Sequence, residues 1–310
     1  MTSPISDVAA LSPATAEAVR KLARQSPDSA DTPPLSEQAL LRLAAGPPVR
    51  HLLYQQNAYQ QDGHDQDPML LGYAQLDPSD QVHAVELVAT DPLVAAELLG
   101  AAGRLVDPTR LRLWAHGRNS VAAQAAAQAG WRPVRTLLQL RRSLADLELA
   151  EPQLPEGVSI RAFRPGYDDE AWLAVNARAF ASHPEQGRWS EADLADRIAA
   201  PWFDPSGFLL AVRGEQLLGY HWTKVHTDMP EPMGEVYVLG VDPAAQGLKL
   251  GKALLSAGLR YLRDRELGAV LLYVEADNST ARGLYEGIGF TVFARDIQFA
   301  NPSDGSPTTP

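Results

Sequence analysis

The chain has 310 residues, 45% of them hydrophobic, and carries 38 acidic against 27 basic side chains for a formal net charge of −11. That length suffices for two domains of ordinary size, and the acidic balance argues against a nucleic-acid groove or an anionic membrane surface, both of which need clustered Lys and Arg, leaving a small-molecule substrate. Zero cysteines exclude disulfides, thiolate zinc sites and a cysteine nucleophile together, and with neither a long apolar run nor a basic-then-apolar N-terminus the expectation is a cytoplasmic protein.

Helical spacing over residues 14–25, and again over 35–43, flanks a proline-rich loop at 26–34. Residues 49–55 and 69–76 read as the strands of a hairpin, with the polar insert 57–68 as its mobile tip. Strand, helix, strand, helix and strand are then expected over 82–90, 95–105, 111–115, 121–129 and 133–141. Prolines in Glu151-Pro-Gln-Leu-Pro155 interrupt both flanking patterns. We therefore expect domains over 1–150 and 151–300, followed by a polar tail, 301–310, with no core-forming residues.

In the second half, His221 and His226 flank Trp222-Thr-Lys224-Val in an alternating, strand-like segment. Their i, i+5 spacing puts them on opposite faces, so they read as polar or packing residues. No H-E-x-x-H motif or carboxylate–histidine cluster is present, and no metal is expected. The run Glu235-Val-Tyr-Val-Leu-Gly-Val241 is β-prone and stops at Asp242-Pro243. Leu250, Leu254, Leu255, Leu259 and Leu262 then recur at helical spacing, with Lys249, Lys252, Arg260 and Arg263 on other faces. Between strand and helix lies Gln246-Gly-Leu-Lys-Leu-Gly251, a turn whose backbone N–H groups open a helix and so form an anion site suited to a phosphate. A second apolar strand over 269–274 leads into Asp277-Asn278-Ser279, a helix cap, and the short helix ends at Gly287-Ile-Gly289.

The order repeats. Gly72-Tyr73 corresponds to Gly219-Tyr220, Asp91-Pro92 to Asp242-Pro243, Asn119-Ser120 to Asn278-Ser279, and Gly130-Trp131 to Gly289-Phe290, at offsets of 147, 151, 159 and 159. Small insertions in a constant fold account for that drift, so two copies of one domain are expected. Carrying the 151-residue offset forward aligns Ala95-Ala-Glu-Leu-Leu-Gly100 with the phosphate loop, and Glu97 there would repel a pyrophosphate. Alignment from Asn119 puts Ala126 opposite Tyr285, so the first copy has lost its chemistry on this reading.

Strand, Asp-Pro turn, Q-x-x-x-x-G loop, helix, strand, D-N-x-x-A-x-x-x-Y and G-F, in that order and spacing, resemble the core of the GCN5-related N-acetyltransferases (GNAT). The resemblance implies an α/β (α+β) chain of two tandem GNAT domains, each a mixed, mostly antiparallel sheet flanked by helices. In this family one strand splays from its neighbour, the pantetheine of acetyl-CoA lies in the gap, and the pyrophosphate rests on the loop amides. The present loop departs from the family's Q/R-x-x-G-x-G/A by carrying Lys249 at the middle glycine, which keeps the N–H but removes the conformational freedom of glycine. Further phrases are similar to a tandem branch of the family that acts on a cysteinyl-glucosaminyl-inositol: the stretches around Asn176 to Gly187, Ala200 to Pro205 and Leu218 to His226, and those carrying Glu235 and Tyr273.

That resemblance implies direct acetyl transfer from acetyl-CoA to the cysteine amine in a ternary complex, with Glu235 as general base and Tyr285 as general acid. It places substrate contacts on Glu37, Glu185, Lys224, Glu235 and Tyr273. Cofactor contacts fall on Leu239, Gly240 and Val241, on Gln246, Gly247, Leu248, Lys249, Leu250, Gly251 and Lys252, and on Asn278, Ser279, Thr280, Ala281, Arg282 and Gly283. A monomer without nucleic-acid or membrane partners is expected. Two other readings stay open: a GNAT enzyme acting on an aminoglycoside or a protein N-terminus, and a non-catalytic acyl-CoA sensor, raised by Lys249 and the degenerate first copy. Retention of Glu235 and Tyr285 counts against the sensor.

Overall fold

The computed structural model describes residues 4–26, 32–44, 46, 48–56, 68–78, 82–117, 120–145, 147–149, 151, 153–181, 183, 186–227 and 231–302. They fall into two compact units: residues 1–138, 275–277 and 294–310, and residues 139–274 and 278–293.

In the first unit, β1 (Ile5–Val8), β2 (Arg50–Gln56), β3 (Met69–Asp77) and β4 (His83–Ala89) form an antiparallel succession, and β5 (Leu111–His116) joins β4 in parallel. Residues 296–300, the end of β12 (Thr291–Ala300), pair antiparallel with β5. The two-residue alternation of the strands sorts their apolar side chains between two cores. Leu53, Tyr73 and Val88 meet α1 (Pro13–Gln25) and α2 (Glu37–Leu41), whereas Leu52, Ala74 and Leu87 meet α3 (Pro92–Leu105) and α4 (Val121–Gln128). The hairpin of β2 and β3 is present, while the insert expected as its mobile tip lies, but for Pro68, outside the described residues.

Buried on this sheet is a charged cluster. His116 lies between two carboxylates, Nε2 at 3.1 Å from Glu86 Oε2 and Nδ1 at 3.3 Å from Asp296 Oδ2. Burial opposes its charge, but the hydrogen bonds to Asp296 and Glu86 outweigh that and push the imidazole up to about 10. Glu86 also accepts from the Ser36 N–H and hydroxyl, so the cluster reaches the residue that caps α2.

In the second unit, β7 (Val158–Ala162), β8 (Phe208–Arg213), β9 (Gln216–His226) and β10 (Met233–Val241) run antiparallel to their neighbours, and β11 (Ala269–Glu275) is parallel to β10. One face carries α5 (Asp169–Ala179) and α6 (Glu191–Ile198) over an aromatic core of Phe163, Trp172, Phe208, Tyr220 and Trp222. The other carries α7 (Leu250–Arg263), whose Leu250 and Leu254 pack with Ala211, Leu218, Leu239 and Val241. The mixed, mostly antiparallel sheets flanked by helices agree with the expected fold class. No helix among the described residues is long and apolar enough to cross a membrane.

The repeat is visible in matched hydrogen bonds. Trp131 N–H donates to Ala126 O at 2.9 Å and Phe290 N–H to Tyr285 O at 3.1 Å, both pairs 159 apart. Ala126 therefore occupies the place of Tyr285, and α4 stands for α8 (Ser279–Glu286). The phosphate loop has no such counterpart, and the alignment of residues 95–100 with it is corrected by the structure. Those residues lie inside α3, which starts directly after Asp91. Asp91 and Asp242 are 151 apart, but the first residues of α3 and α7, Pro92 and Leu250, are 158 apart. The difference of seven residues, 243–249, is an insertion that exists in the second unit alone and builds the loop.

Candidate functional site in the second unit

β10 organises the candidate site. Its register with β9 pairs Glu235 with Lys224 and Met233 with His226, then slips at Tyr237 so that Val238 faces Trp222. A bulge of one residue reverses the alternation beyond it. Glu235 thus shares a face with Lys224, His226 and the aromatic core, while Leu239 and Val241 turn to the opposite face and pack with α7. Without the bulge, Glu235 and Leu239 would point the same way.

β10 and β11 also part. Their register covers Gly234 to Val236 against Val270 to Leu272 and stops there, although β10 continues to Val241 and β11 to Glu275. The backbone of residues 237–241 consequently has β9 on one side and, among the described residues, no ladder partner on the other. This is the splay that the family resemblance implies.

Next to it the inserted loop leads into α7. Arg178 of α5 donates to Asp242 Oδ2 at 2.6 Å, while Asp242 Oδ1 accepts the Ala244 N–H at 2.9 Å, so the turn that launches the loop is held from both ends. The Arg178 guanidinium keeps the Asp242 carboxyl below the usual range. Gly247 has φ 84°, and Lys249 has φ 56° and ψ 20°, the left-handed region. Lys249 therefore adopts the very conformation for which the family's glycine is suited. It is the N-cap of α7 and contributes no side-chain cap, and no side-chain bond to the first-turn N–H groups is seen among the described residues. In the first unit Asp91 caps α3 through the N–H groups of Leu93 and Val94 at 2.9 and 3.1 Å. The exposed Glu97, which sequence reasoning made the obstacle, sits in the second turn of that helix. Of the remaining expected cofactor residues, Asn278 caps α8 by accepting the Ala281 N–H at 3.0 Å, and Ser279, Thr280, Ala281, Arg282 and Gly283 form its first turns.

The other expected residues fall as follows. Glu235 is 7% exposed, and its Oε2 lies 2.7 Å from His226 Nε2. Lys224 is buried, with its ammonium 4.8 Å from the ring centre of Trp202 and 5.7 Å from that of Tyr237, a cation–π setting. Tyr273 is half-exposed, and its hydroxyl oxygen accepts from Gln139 Nε2 at 2.7 Å. Gln139 Oε1 in turn accepts from Arg141 Nε at 3.0 Å. The amide of Gln139 is thereby oriented, its N–H toward the tyrosine and its oxygen toward the guanidinium. Tyr285 lies on α8 against Phe290 at 5.9 Å between ring centres, and burial pushes its phenol well above the ordinary range. Glu37 is exposed at the start of α2, in the first unit. Glu185 lies outside the described residues.

The two histidines separate as their spacing requires. His221 is fully buried on the α7 side, where its Nδ1–H donates to Leu254 O at 2.9 Å, and burial lowers it to about 4. It is a neutral packing residue. His226, read from sequence as no more than that, instead touches Glu235. Its signal was present: it lies two residues from Lys224 and so shares its face. Among the described residues no cluster of three or more His, Asp or Glu could hold a metal.

Comparison with known proteins gives a consistent picture. The acetyltransferase (GNAT) family model matches residues 172–290. The chain is 47% identical over 311 residues to a mycothiol acetyltransferase of Streptomyces avermitilis, covering 96% of each chain. It is 49% identical over 276 residues to one of Thermomonospora curvata, covering 87% of this chain and 88% of that one. Among solved structures, a tandem GNAT protein from the clavulanic acid biosynthesis pathway matches with TM-score 0.68 at 16% identity, over 98% of this chain and 99% of the other, a likeness of fold.

Proposed function

Since this chain belongs to the mycothiol acetyltransferases, a branch of the GNAT family, we propose that it moves the acetyl group of acetyl-CoA to the cysteine amine of a cysteinyl-glucosaminyl-inositol. The products are mycothiol and CoA. The observation that carries the reading is the junction in the second unit: the stretch of β10 without a ladder partner among the described residues lies next in sequence to an inserted loop and a helix whose N-cap residue, Lys249, makes no side-chain cap. Such an edge suits the amide groups of a pantetheine arm, and uncapped first-turn N–H groups suit a pyrophosphate. Gln246, Gly247, Leu248, Lys249, Leu250, Gly251 and Lys252 would hold the phosphates, Leu239, Gly240 and Val241 the arm, and the start of α8, Asn278 to Gly283, its reacting end.

The chemistry asks little of the side chains. An α-amine with a reference pKa of about 7.7–8.0 is already roughly one-third neutral near pH 7.5, so a carboxylate has only the remaining proton to collect. Glu235, facing the aromatic side of the sheet beside Lys224, takes that role. The departing thiolate has a pKa of about 8.5 against about 10 for an ordinary tyrosine, which makes full proton transfer uphill by roughly 2 kcal/mol. Burial raises Tyr285 further, so Tyr285 acts as a hydrogen-bond donor to the sulfur rather than surrendering its proton. The backbone N–H groups on the open edge near Leu239 polarise the acetyl carbonyl as it gains charge. Lys224, Tyr273 and Glu185 bind the sugar and inositol part of the substrate, and the protein acts in the cytoplasm as a monomer.

The test is acetyl-CoA-dependent thiol release with the cysteinyl pseudodisaccharide, run beside a panel of aminoglycosides and peptide N-termini. The proposal expects efficient turnover with the pseudodisaccharide alone. Preferential turnover of a peptide or an aminoglycoside would replace it, and acetyl-CoA binding without turnover of any acceptor would favour a sensor.

A further inference from the structure

His226 Nε2 lies 2.7 Å from Glu235 Oε2, and both side chains are largely withdrawn from water, at 17% and 9% exposure. The contact follows from the register: His226 pairs with Met233, two residues before Glu235 and on the same face. An ionised carboxylate can only accept, so at this distance Nε2 must carry the proton and donate it. The bond leaves Oε2 engaged and Oε1 unengaged by the imidazole. Lys224, on the same face, has its ammonium 4.8 Å from the ring centre of Trp202 and 5.7 Å from that of Tyr237.

We propose that His226 is a positioning residue for the acetyl-transfer reaction: by holding Oε2 of Glu235 it fixes the carboxylate rotamer and assigns uptake of the amine proton to Oε1. This rests on the reading of Glu235 as the base. A glutamate has three side-chain torsions, and the catalytic gain from a base depends on its being held in line with the proton it removes. On this strand pair the imidazole supplies that constraint.

The experiment is a double-mutant cycle in the full chain, with His226→Phe, His226→Gln, Glu235→Gln and the His226→Phe/Glu235→Gln pair, each checked for unaltered thermal unfolding. His226→Phe should lower kcat by about tenfold or more while leaving the KM for acetyl-CoA within twofold. His226→Gln, whose amide N–H can still donate, should recover most of the rate. In the Glu235→Gln background, His226→Phe should cost nothing further. A His226→Phe enzyme with wild-type kcat would overturn the proposal, and so would an equal loss in both backgrounds, which marks a merely structural effect. A wild-type rate for Glu235→Gln would instead refute the base reading beneath it, so the two failures are distinguishable.

Discussion

Lys249 offers a clean separation of backbone strain from ligand charge. At φ 56° and ψ 20° it holds the left-handed conformation, which costs an L-residue about 1–2 kcal/mol. Lys249→Gly removes that cost but adds about 0.5–1 kcal/mol of unfolded-chain entropy. The net expectation is a variant more stable by up to about 1.5 kcal/mol, read as a rise in the urea midpoint with an unchanged slope. The N–H that faces the loop is retained. Only the ammonium is lost, and since Lys249 is exposed its attraction for a phosphate is at most about 1 kcal/mol, which limits the loss of acetyl-CoA affinity to about fivefold and makes binding less salt-dependent. Lys249→Val is the counterpart: a β-branched residue tolerates positive φ poorly, so it should lose stability and acetyl-CoA affinity together. Paired urea titrations and calorimetry decide the matter. A Lys249→Gly protein that is destabilised would refute the strain argument, and one that no longer binds acetyl-CoA would refute the assignment of binding to backbone amides.

Three further outcomes are expected. Tyr285→Phe keeps the ring contact with Phe290 but removes one transition-state donor, so the barrier should rise by about 2–4 kcal/mol in single-turnover measurements; unchanged chemistry would remove Tyr285 from the site. A Cβ on Gly258 would run into the ring of the buried His221, so Gly258→Ala should cost about 1–3 kcal/mol of stability or more, read by thermal unfolding, and a neutral result would show that α7 can slide on β9. Because His116 is raised to about 10 from an ordinary 6.5, its contribution to stability is fully present below pH 6.5 and is lost as the pH rises through about 10. The stability gap between wild type and His116→Gln should therefore narrow with rising pH, and a gap that widens would contradict the imidazolium between Glu86 and Asp296.

Much of the fold was legible because each unit obeys simple periodicities. Leu250, Leu254, Leu255, Leu259 and Leu262 trace the buried stripe of α7, and Asn278 caps α8 as its residue type suggests. The offset of 159 between Ala126 and Tyr285 also holds, because the α4 and α8 segments carry no insertion relative to each other. What was hidden has a physical reason in each case. An apolar α3 that begins directly after Asp91 looks the same, residue by residue, as one preceded by a loop, so Ala95 to Gly100 passed for a degenerate phosphate site. The bulge at Tyr237 leaves no mark in a run as uniformly β-prone as Glu235 to Val241, yet it decides which residues share a face with Glu235. The return of residues 294–302 to the first unit is a long-range pairing with no local signal. The partner of His226 is a carboxylate on the next strand, a cross-strand pair that depends on register and leaves no local pattern.

The most direct test of the account is the pH–rate profile of Glu235→Ala with acetyl-CoA and the cysteinyl pseudodisaccharide, followed beside wild type from pH 6 to pH 10. Loss of the base should lower the rate near neutrality by about 10²–10⁴-fold, with partial recovery at alkaline pH, where the acceptor amine is already neutral. A Glu235→Ala enzyme that matches wild type at every pH would contradict the account, because the amine would then need no carboxylate from β10.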